Sequence, residues 1–194
     1  AYLLESVEGG EQVARYSFLG KDPFLILRAA DGVVTLERSG TTTTSEEGFV
    51  PTLRRVMAEF RSPYVPGLPR FTGGAVGFMG YDAASWFEPV TMQPVSEADL
   101  AIDQAAFMLF DTVLAFDHVQ HRILIIANAR ISADDDLSAL YQFACAKIEF
   151  LERELERNLS QGERQAAAPI DVCANMTREQ FEQHVRSAKE LIAA

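Results

Sequence analysis

The sequence predicts an α+β fold: a mainly antiparallel β-sheet or sandwich with helices packed against it. Three observations lead to this prediction. Apolar segments of strand length recur along the 194-residue chain before position 130 and are separated by turn residues. Two of the connections, at 31–32 and 118–121, have the composition of hairpin turns. The longest helical periodicity, at 134–157, follows the strands instead of alternating with them.

Composition excludes several classes of protein. A hydrophobic content of 48% is enough for one sizeable core, or for one large and one small domain. A formal net charge of -11 argues against nucleic acid and anionic membranes as partners, since both require clustered Lys and Arg. No apolar run approaches the roughly 20 residues that span a bilayer. Cys145 and Cys173 lack metal-ligand spacing, so we expect free thiols in a cytoplasmic protein.

The first segment predicts a short strand with a polar end. Residues 2–4 are apolar and run directly into Glu5 and Ser6; a polar turn follows at 8–11, and a second apolar segment at 15–19. Such a strand end can place a carboxylate and a hydroxyl at the edge of a core, where they could bind the amine and backbone of a small ligand. The alternative is a plain turn in which Glu5 is solvated and Ser6 is a cap.

A hairpin, a loop and a helix are predicted next. Residues 23–29 and 33–38 have strand character, and the Asp-Gly pair at 31–32 between them is a hairpin signal. The polar stretch 39–48, with four consecutive threonines, predicts a mobile surface loop. Residues 49–60 predict a helix. Its apolar positions recur at helical spacing, namely Leu53, Val56, Met57 and Phe60.

The middle of the chain is rich in proline and glycine. Three prolines exclude a helix or a central strand at 62–70. Residues 71–82 alternate glycine with apolar residues, which predicts a closely packed strand. A phosphate loop is the competing interpretation, but the stretch lacks both the Gly-Lys-Ser/Thr ending and the Gly-x-Gly-x-x-Gly spacing. A short helix or turn carrying Trp86 is predicted at 81–88, and an acidic connector at 89–103.

A long central strand is predicted at 105–117, because this segment is apolar on both faces. A turn follows, and residues 122–128 return antiparallel to the long strand. His118 and His121 flank the turn with only Asp117 nearby, so exposed turn residues are favoured over a metal pair. No Ser-His-Asp set, Cys-His pair, carboxylate pair or metal cluster can be assembled from the sequence, and no catalytic residue is predicted.

The last part of the chain is predicted to be helical. Residues 134–157 form the longest helix, and a polar linker follows at 160–168. The apolar stripe of the long helix consists of Leu137, Leu140, Tyr141, Ala144, Ile148, Leu151 and Leu155. A capping box at 177–180 opens another helix, which reaches Ala194 without a stop signal. The chain also starts without Met or a signal-peptide pattern, so we expect it to be clipped at both ends.

Four blocks of the sequence, taken together and in order, resemble anthranilate synthase component I, a chorismate-utilising enzyme. The blocks are 3–11 with 15–20, 71–82, 108–117 and 176–192. They are spread in order over almost the whole chain, which makes the resemblance specific. Ser85 and Trp86 depart from the pattern, since the family more often has an arginine after Tyr-Asp-x-x. The fold implied is that of the family's N-terminal domain.

The resemblance implies that the full-length protein converts chorismate and ammonia or glutamine to anthranilate and pyruvate in tryptophan biosynthesis. It divides the chain into an N-terminal regulatory domain at 1–158, a linker at 159–176 and the first helix of a truncated chorismate-binding domain at 177–194. The catalytic residues and the Mg²⁺ site are then expected beyond Ala194, which leaves this chain inactive by itself. A glutamine amidotransferase subunit is the implied partner.

The resemblance also implies a role for the first segment. In relatives it forms part of the feedback site for L-tryptophan, which here implicates Leu4, Glu5 and Ser6, with Arg15 and Tyr16 on the next segment. Leu4 would pack on the indole, Glu5 would pair with the ammonium, and Ser6 would hydrogen-bond the polar end of the ligand. Two alternatives stay open: aminodeoxychorismate synthase component I, which serves folate synthesis, and a stand-alone module that binds a small ligand.

Overall fold

Two antiparallel β-sheets and a set of helices make up the computed structural model of this chain, which confirms the α+β prediction. The chain divides into two compact units, Ala1–Arg157 and Asn158–Ala194. The structure describes residues 1–5, 15–30, 32–88, 102–157 and 174–193. Several predicted features lie outside these ranges: Ser6, the turn at 8–11, Asp31, most of the connector at 89–103, the linker at 160–168, and Cys173.

The smaller sheet has four strands, all paired antiparallel in the order β1-β2-β8-β9. They are β1 (Tyr2–Leu4), β2 (Tyr16–Gly20), β8 (Thr112–Asp117) and β9 (Arg122–Ala127). β2 therefore pairs with a strand, β8, that lies about a hundred residues later in the sequence. Among the described residues β1 pairs only with β2, which makes it an outer strand of this sheet.

The larger sheet has five strands in the order β5-β4-β3-β7-β6, again antiparallel throughout. They are β3 (Leu25–Ala30), β4 (Val33–Arg38), β5 (Thr41–Ser45), β6 (Gly74–Met79) and β7 (Ala105–Phe110). The predicted hairpin at 23–38 is present as β3 and β4. The glycine-rich segment forms β6, as the closely packed strand interpretation predicts, and not a phosphate loop.

The prediction of one long strand at 105–117 is wrong. The chain leaves the larger sheet after Phe110 and enters the smaller sheet at Thr112, so Asp111 is the only residue between β7 and β8. The carbonyl of Asp111 accepts hydrogen bonds from the backbone nitrogen of Asn128 at 2.8 Å and from its Nδ2 at 3.0 Å. Lys147 Nζ lies 3.2 Å from Asp111 Oδ1. These contacts satisfy the polar groups of the bend, which allows one apolar run to serve two sheets.

The prediction of a mobile loop at 39–48 is also wrong, since Thr41–Ser45 forms the outer strand β5. Threonine is β-branched and favours extended backbone, so a run of threonines suits an exposed edge strand. Ser45 Oγ lies 2.8 Å from Thr52 Oγ1, a hydrogen bond that joins the end of β5 to the following helix. Thr52 itself is buried.

The main hydrophobic core lies between the five-stranded sheet and α1 (Phe49–Ala58). Phe49 and Val56 of this helix are buried against Leu25, Leu27 and Leu109 of the sheet. A 3-10 helix at Tyr81–Trp86, in the position predicted for a short helix, places the Trp86 ring 5.4 Å from that of Phe49. The helix predicted at 49–60 is thus confirmed, two residues shorter at its end.

α2 (Leu137–Glu156) lies beside β9 and begins at Asp136, whose side chain accepts hydrogen bonds from the backbone nitrogens of Ser138 and Ala139. Only part of the predicted stripe faces inward. Leu140, Ala144, Ile148 and Leu151 are half-buried, whereas Leu137, Tyr141 and Leu155 are exposed. Cys145 is a free thiol. No helix among the described residues combines the length and the apolar character that a membrane span requires.

In the second unit, the predicted capping box is present. The backbone nitrogen of Gln180 donates to Thr177 Oγ1 at 3.3 Å, and the Gln180 side chain accepts from the backbone nitrogen of Thr177 at 2.9 Å. The helix that follows is α3 (Arg178–Ala193). Its apolar residues, including Phe181, are exposed within this unit.

Candidate functional site

The predicted ligand-binding residues of the first segment lie at the exposed end of β1. Leu4 is 44% exposed and Glu5, the next residue, is also exposed. Ser6 lies outside the described residues. Because β1 is an outer strand, its last residues face solvent on one side, and both side chains are accessible to a ligand.

β1 is held to the rest of the protein at its other end, by Tyr2. The Tyr2 side chain is buried, and its ring packs edge-on against Phe110 at 4.7 Å and Phe71 at 6.3 Å. Tyr2 pairs with Gly20, where the absence of a side chain makes room for the ring. Burial raises the pKa of Tyr2 to about 12. The hydroxyl has no hydrogen-bond partner among the described residues.

An apolar row connects β1 with the second predicted segment. Leu4 pairs with Phe18 on β2, and the rings of Phe18 and Tyr16 lie 5.9 Å apart. Residues that pair directly across an antiparallel sheet share a face, as do residues two apart on one strand. Leu4, Phe18 and Tyr16 therefore lie on the same face, the one from which Phe18 contacts Phe71. Sequence reasoning missed Phe18, although its spacing from Tyr16 in a strand signals a shared face.

Arg15 and Tyr16 lie together at the start of β2. The Arg15 guanidinium carbon lies 4.9 Å from the centre of the Tyr16 ring, a cation–π contact. Arg15 also donates two hydrogen bonds to Asp117 on β8, from Nε to Oδ1 at 3.1 Å and from Nη2 to Oδ2 at 2.7 Å. Asp117 pairs directly with Tyr16 in the sheet. Asp117, which the sequence did not identify as a site residue, thus contacts Arg15 and pairs with Tyr16.

Asp117 is a buried carboxylate that the fold surrounds with donors. Its Oδ1 also accepts hydrogen bonds from the backbone nitrogens of Val119 at 3.2 Å and Gln120 at 3.1 Å. The hydrogen bond from Arg15 holds the pKa of Asp117 well below its usual range, against the opposing effect of burial, and the two backbone donors act in the same direction as Arg15. The sequence feature that could have identified Asp117 is an aspartate that ends an apolar strand immediately before a turn.

Acidification is expected to destabilise the protein in part through Asp117. Its pKa is lowered in the folded protein, so its stabilising contribution is fully present above the unfolded-chain pKa of about 3.9 and is lost as the pH falls towards the folded-state value. Urea unfolding of the wild type and Asp117→Asn, from about pH 6 to about pH 3, measures this contribution. The difference in the free energy of unfolding between the wild type and Asp117→Asn should become smaller as the pH falls. A difference between the two proteins that does not change with pH would contradict a lowered pKa of Asp117 in the folded state.

The two histidines of the turn are exposed, as predicted. In addition, His118 Nε2 lies 2.7 Å from Ser17 Oγ, a hydrogen bond whose donor depends on the histidine tautomer. The backbone nitrogen of His118 donates to the carbonyl of Arg15 at 2.9 Å. Although a serine and a histidine meet here beside Asp117, the carboxylate is directed to Arg15, so the three do not form a Ser-His-Asp relay.

A cavity lies elsewhere in the first unit. It has a volume of about 470 Å³ and separates α2 from the four-stranded sheet, with Leu19, Val113 and Leu151 among its apolar walls and the Asp111–Lys147 ion pair among its polar groups. None of the described residues predicted to bind the ligand lines it. The cavity and the exposed end of β1 are therefore separate features.

The chain resembles known proteins over nearly its whole length. Residues 2–194 match a family model described as chorismate binding enzyme. The chain is 34% identical over 199 residues to anthranilate synthase component 1 of Acetivibrio thermocellus, an alignment that covers 98% of this chain and 40% of that protein. It is 36% identical over 156 residues to the probable anthranilate synthase component 1 of Schizosaccharomyces pombe, covering 80% of this chain and 29% of that protein.

The crystal structure of anthranilate synthase component I from Streptococcus pneumoniae TIGR4 has a similar fold. The TM-score is 0.68 at 23% sequence identity, and the match covers 97% of this chain and 40% of that one. This chain thus spans about 40% of the length of the Acetivibrio relative and of the solved structure.

Proposed function

The chain belongs to the chorismate binding enzyme family, and from that premise we propose that it is the N-terminal, feedback-regulatory part of an anthranilate synthase component I. The observation that carries this proposal is the 34% identity to such a protein across 98% of the chain. The α+β fold, similar to that of a solved component I, supports it. The complete enzyme would convert chorismate and ammonia or glutamine to anthranilate and pyruvate.

In this proposal the chain does not catalyse the reaction by itself. Residues 1–158 are the regulatory domain, 159–176 are a linker, and 177–194 begin the chorismate-binding domain, whose catalytic residues follow Ala194. The complete enzyme would use Mg²⁺. Among the described residues no group of three or more His, Cys, Asp or Glu side chains could hold a metal. In this proposal the ligands of the ion lie beyond Ala194.

The regulatory ligand in this proposal is L-tryptophan, and its site includes Leu4, Glu5, Ser6, Arg15 and Tyr16. The exposure of Leu4 and Glu5 supports the assignment, because an edge that binds a ligand has to be accessible. The apolar row offers the indole a surface, and the Glu5 carboxylate suits the ligand ammonium. A hydrogen bond to a charged group contributes roughly 1.5–3 kcal/mol.

Inhibition follows if L-tryptophan binds the inactive arrangement of the complete enzyme more tightly than the active one. A ligand shifts such an equilibrium only by its differential affinity for the two states. The site needs residues from both sides of a moving interface for this effect. We therefore assign the rest of the pocket to the part of the enzyme beyond residue 194, and we expect this chain alone to bind L-tryptophan weakly or not at all.

The complete enzyme is further proposed to be cytoplasmic and to receive ammonia from a glutamine amidotransferase subunit. The relatives are named component 1, and this name supports the existence of a partner component. The formal net charge of -11 disfavours nucleic acid and anionic membranes as partners.

The product of the complete enzyme tests the proposal. Purified enzyme, supplied with chorismate, Mg²⁺ and ammonium, should release anthranilate and pyruvate, and L-tryptophan should inhibit it. Formation of aminodeoxychorismate would instead identify an enzyme of folate synthesis. If neither product forms and this chain alone binds L-tryptophan saturably in calorimetry, a stand-alone binding module replaces the proposal.

Glu5→Gln is expected to weaken feedback inhibition. The substitution removes the charge that pairs with the ligand ammonium and keeps the size of the side chain, so the L-tryptophan concentration for half inhibition should rise about tenfold or more. Each variant is compared with its own uninhibited rate. Glu37→Gln is the matched control, since Glu37 is an exposed strand carboxylate in the other sheet. Equal inhibition of Glu5→Gln and the wild type would remove Glu5 from the site.

A further inference from the structure

A buried carboxylate on β8 controls the position of Arg15. The Asp117 side chain has 0% exposure, whereas that of Arg15 is 35% exposed, so the ion pair connects the interior of the sheet with its surface. We propose that Asp117 is a positioning residue for the aromatic amino-acid site at the end of β1 and the start of β2, acting through Arg15. This inference rests on the proposed function, because it assumes that the site binds a regulatory ligand.

The side chain of Asp117 is itself fixed in position. Its Oδ1 accepts from the backbone nitrogens of Val119 and Gln120, so the turn after β8 determines where the carboxylate lies. Arg122 Nε lies 3.8 Å from Oδ2 and adds a second positive charge nearby. A carboxylate held by backbone donors and two guanidinium groups is a rigid anchor in comparison with an exposed side chain.

The Asp117 carboxylate in turn fixes the plane of the Arg15 guanidinium. Two parallel hydrogen bonds, at 3.1 and 2.7 Å, leave a planar guanidinium little freedom to rotate. The same guanidinium lies over the Tyr16 ring, which is thereby held from one side. Asp117 does not have to touch the ligand to influence it. It determines where Arg15 lies, and Arg15 determines where the ring of Tyr16 lies.

The Tyr16 ring belongs to the same apolar row as the exposed end of β1. Tyr16, Phe18 and Leu4 share one face of the sheet, so a shift of the Tyr16 ring changes the apolar surface that meets an indole. The hydrogen bond from the His118 backbone nitrogen to the Arg15 carbonyl fixes the backbone at the same point. Loss of the Asp117 charge is then expected to change the fit of L-tryptophan.

The test measures inhibition of the complete enzyme by L-tryptophan, with each variant normalised to its own uninhibited rate. Asp117→Asn keeps the size of the side chain and removes its charge, and it is expected to raise the half-inhibitory concentration about tenfold. Arg15→Lys keeps the positive charge but loses the planar fork, and a similar change is expected. Asp103→Asn is the control, because it removes an ion pair between Asp103 and Arg28 of the larger sheet. At 2.7 Å this ion pair is as short as that between Asp117 and Arg15. Its half-inhibitory concentration should stay within about twofold of wild type.

A double variant separates positioning from an independent effect. If Asp117 acts through Arg15, then Asp117→Asn adds no further change in a protein that already carries Arg15→Lys. Additive changes would overturn the inference, as would wild-type sensitivity in Asp117→Asn. Melting temperatures are measured for every variant. If Asp117→Asn does not fold, Arg15→Lys decides alone, and wild-type sensitivity in that variant overturns the inference.

The outcomes distinguish this inference from the proposed function. A wild-type enzyme that L-tryptophan does not inhibit contradicts the proposed function, and the positioning role falls with it. If the wild type is inhibited and Glu5→Gln loses sensitivity while Asp117→Asn retains it, only the positioning role is wrong.

Discussion

Replacing Gly77 with alanine is expected to lower the free energy of unfolding by more than about 3 kcal/mol or to prevent folding. Gly77 lies in β6 and pairs with Phe107 of β7. A Cβ atom at this position would lie 2.6 Å from the Phe107 Cα, and closer still to the carbonyl oxygen of Ala106. These are backbone atoms of a central strand and cannot rotate away, so β6 and β7 would have to separate.

Soluble yield and urea unfolding measure the effect of Gly77→Ala. The matched control is Gly48→Ala, because a Cβ atom there meets nothing closer than Pro51 Cδ at 3.8 Å, an ordinary contact. Gly48 precedes α1, and a cost of about 1 kcal/mol or less is expected for the control. A Gly77→Ala protein as stable as the control would show that the two strands do not approach as closely as the structure indicates.

Replacing Gly20 with alanine is expected to cost about 1–3 kcal/mol and also to reduce sensitivity to L-tryptophan. A Cβ atom on Gly20 would lie 2.9 Å from the Cζ atom of Tyr2, whose ring is buried against Phe110. Tyr2 cannot move outward without losing that contact. Because Tyr2 holds the buried end of β1, its displacement would shift the exposed end that carries Leu4 and Glu5.

Two measurements on the complete enzyme check the Gly20 prediction: the melting temperature and the L-tryptophan concentration for half inhibition. Tyr2→Phe is an informative companion, since it keeps the ring and removes a buried hydroxyl with no partner among the described residues. It should fold at least as stably as the wild type. If Gly20→Ala melts like the wild type, the Tyr2 ring does not occupy the space beside Gly20.

Much of the fold follows from local patterns in the sequence. The β3–β4 hairpin, α1 and the β8–β9 hairpin are all predicted, because turn residues and apolar periodicity determine them locally. The two wrong predictions concern segments whose structure depends on distant partners. The threonine run becomes a strand only because β4 offers it an edge, and the long apolar run is divided because Asn128 and Lys147 meet the polar groups of Asp111.

Local sequence patterns likewise predict only part of the candidate site. The exposure of Leu4 and Glu5 could be expected from a short apolar segment that ends in polar residues. The contact of Asp117 with Arg15 could not, because the two residues lie 102 residues apart in the sequence. Periodicity within a segment contains no information on pairing between segments that far apart. The register that places Asp117 opposite Tyr16 is a property of the assembled sheet.

The bend at Asp111 has a consequence for how the protein is made. β7 and β8 are inner strands of the two sheets, and they follow one another directly in the chain. On the ribosome, β1 and β2 emerge early but cannot complete their sheet until β8 has been synthesised. At roughly 5–20 residues per second, a separation of 102 residues is a delay of about 5–20 s. The same short stretch of nascent chain then supplies an inner strand to each sheet, and β9 follows after four residues, so the two sheets should acquire protection from proteases at nearly the same time.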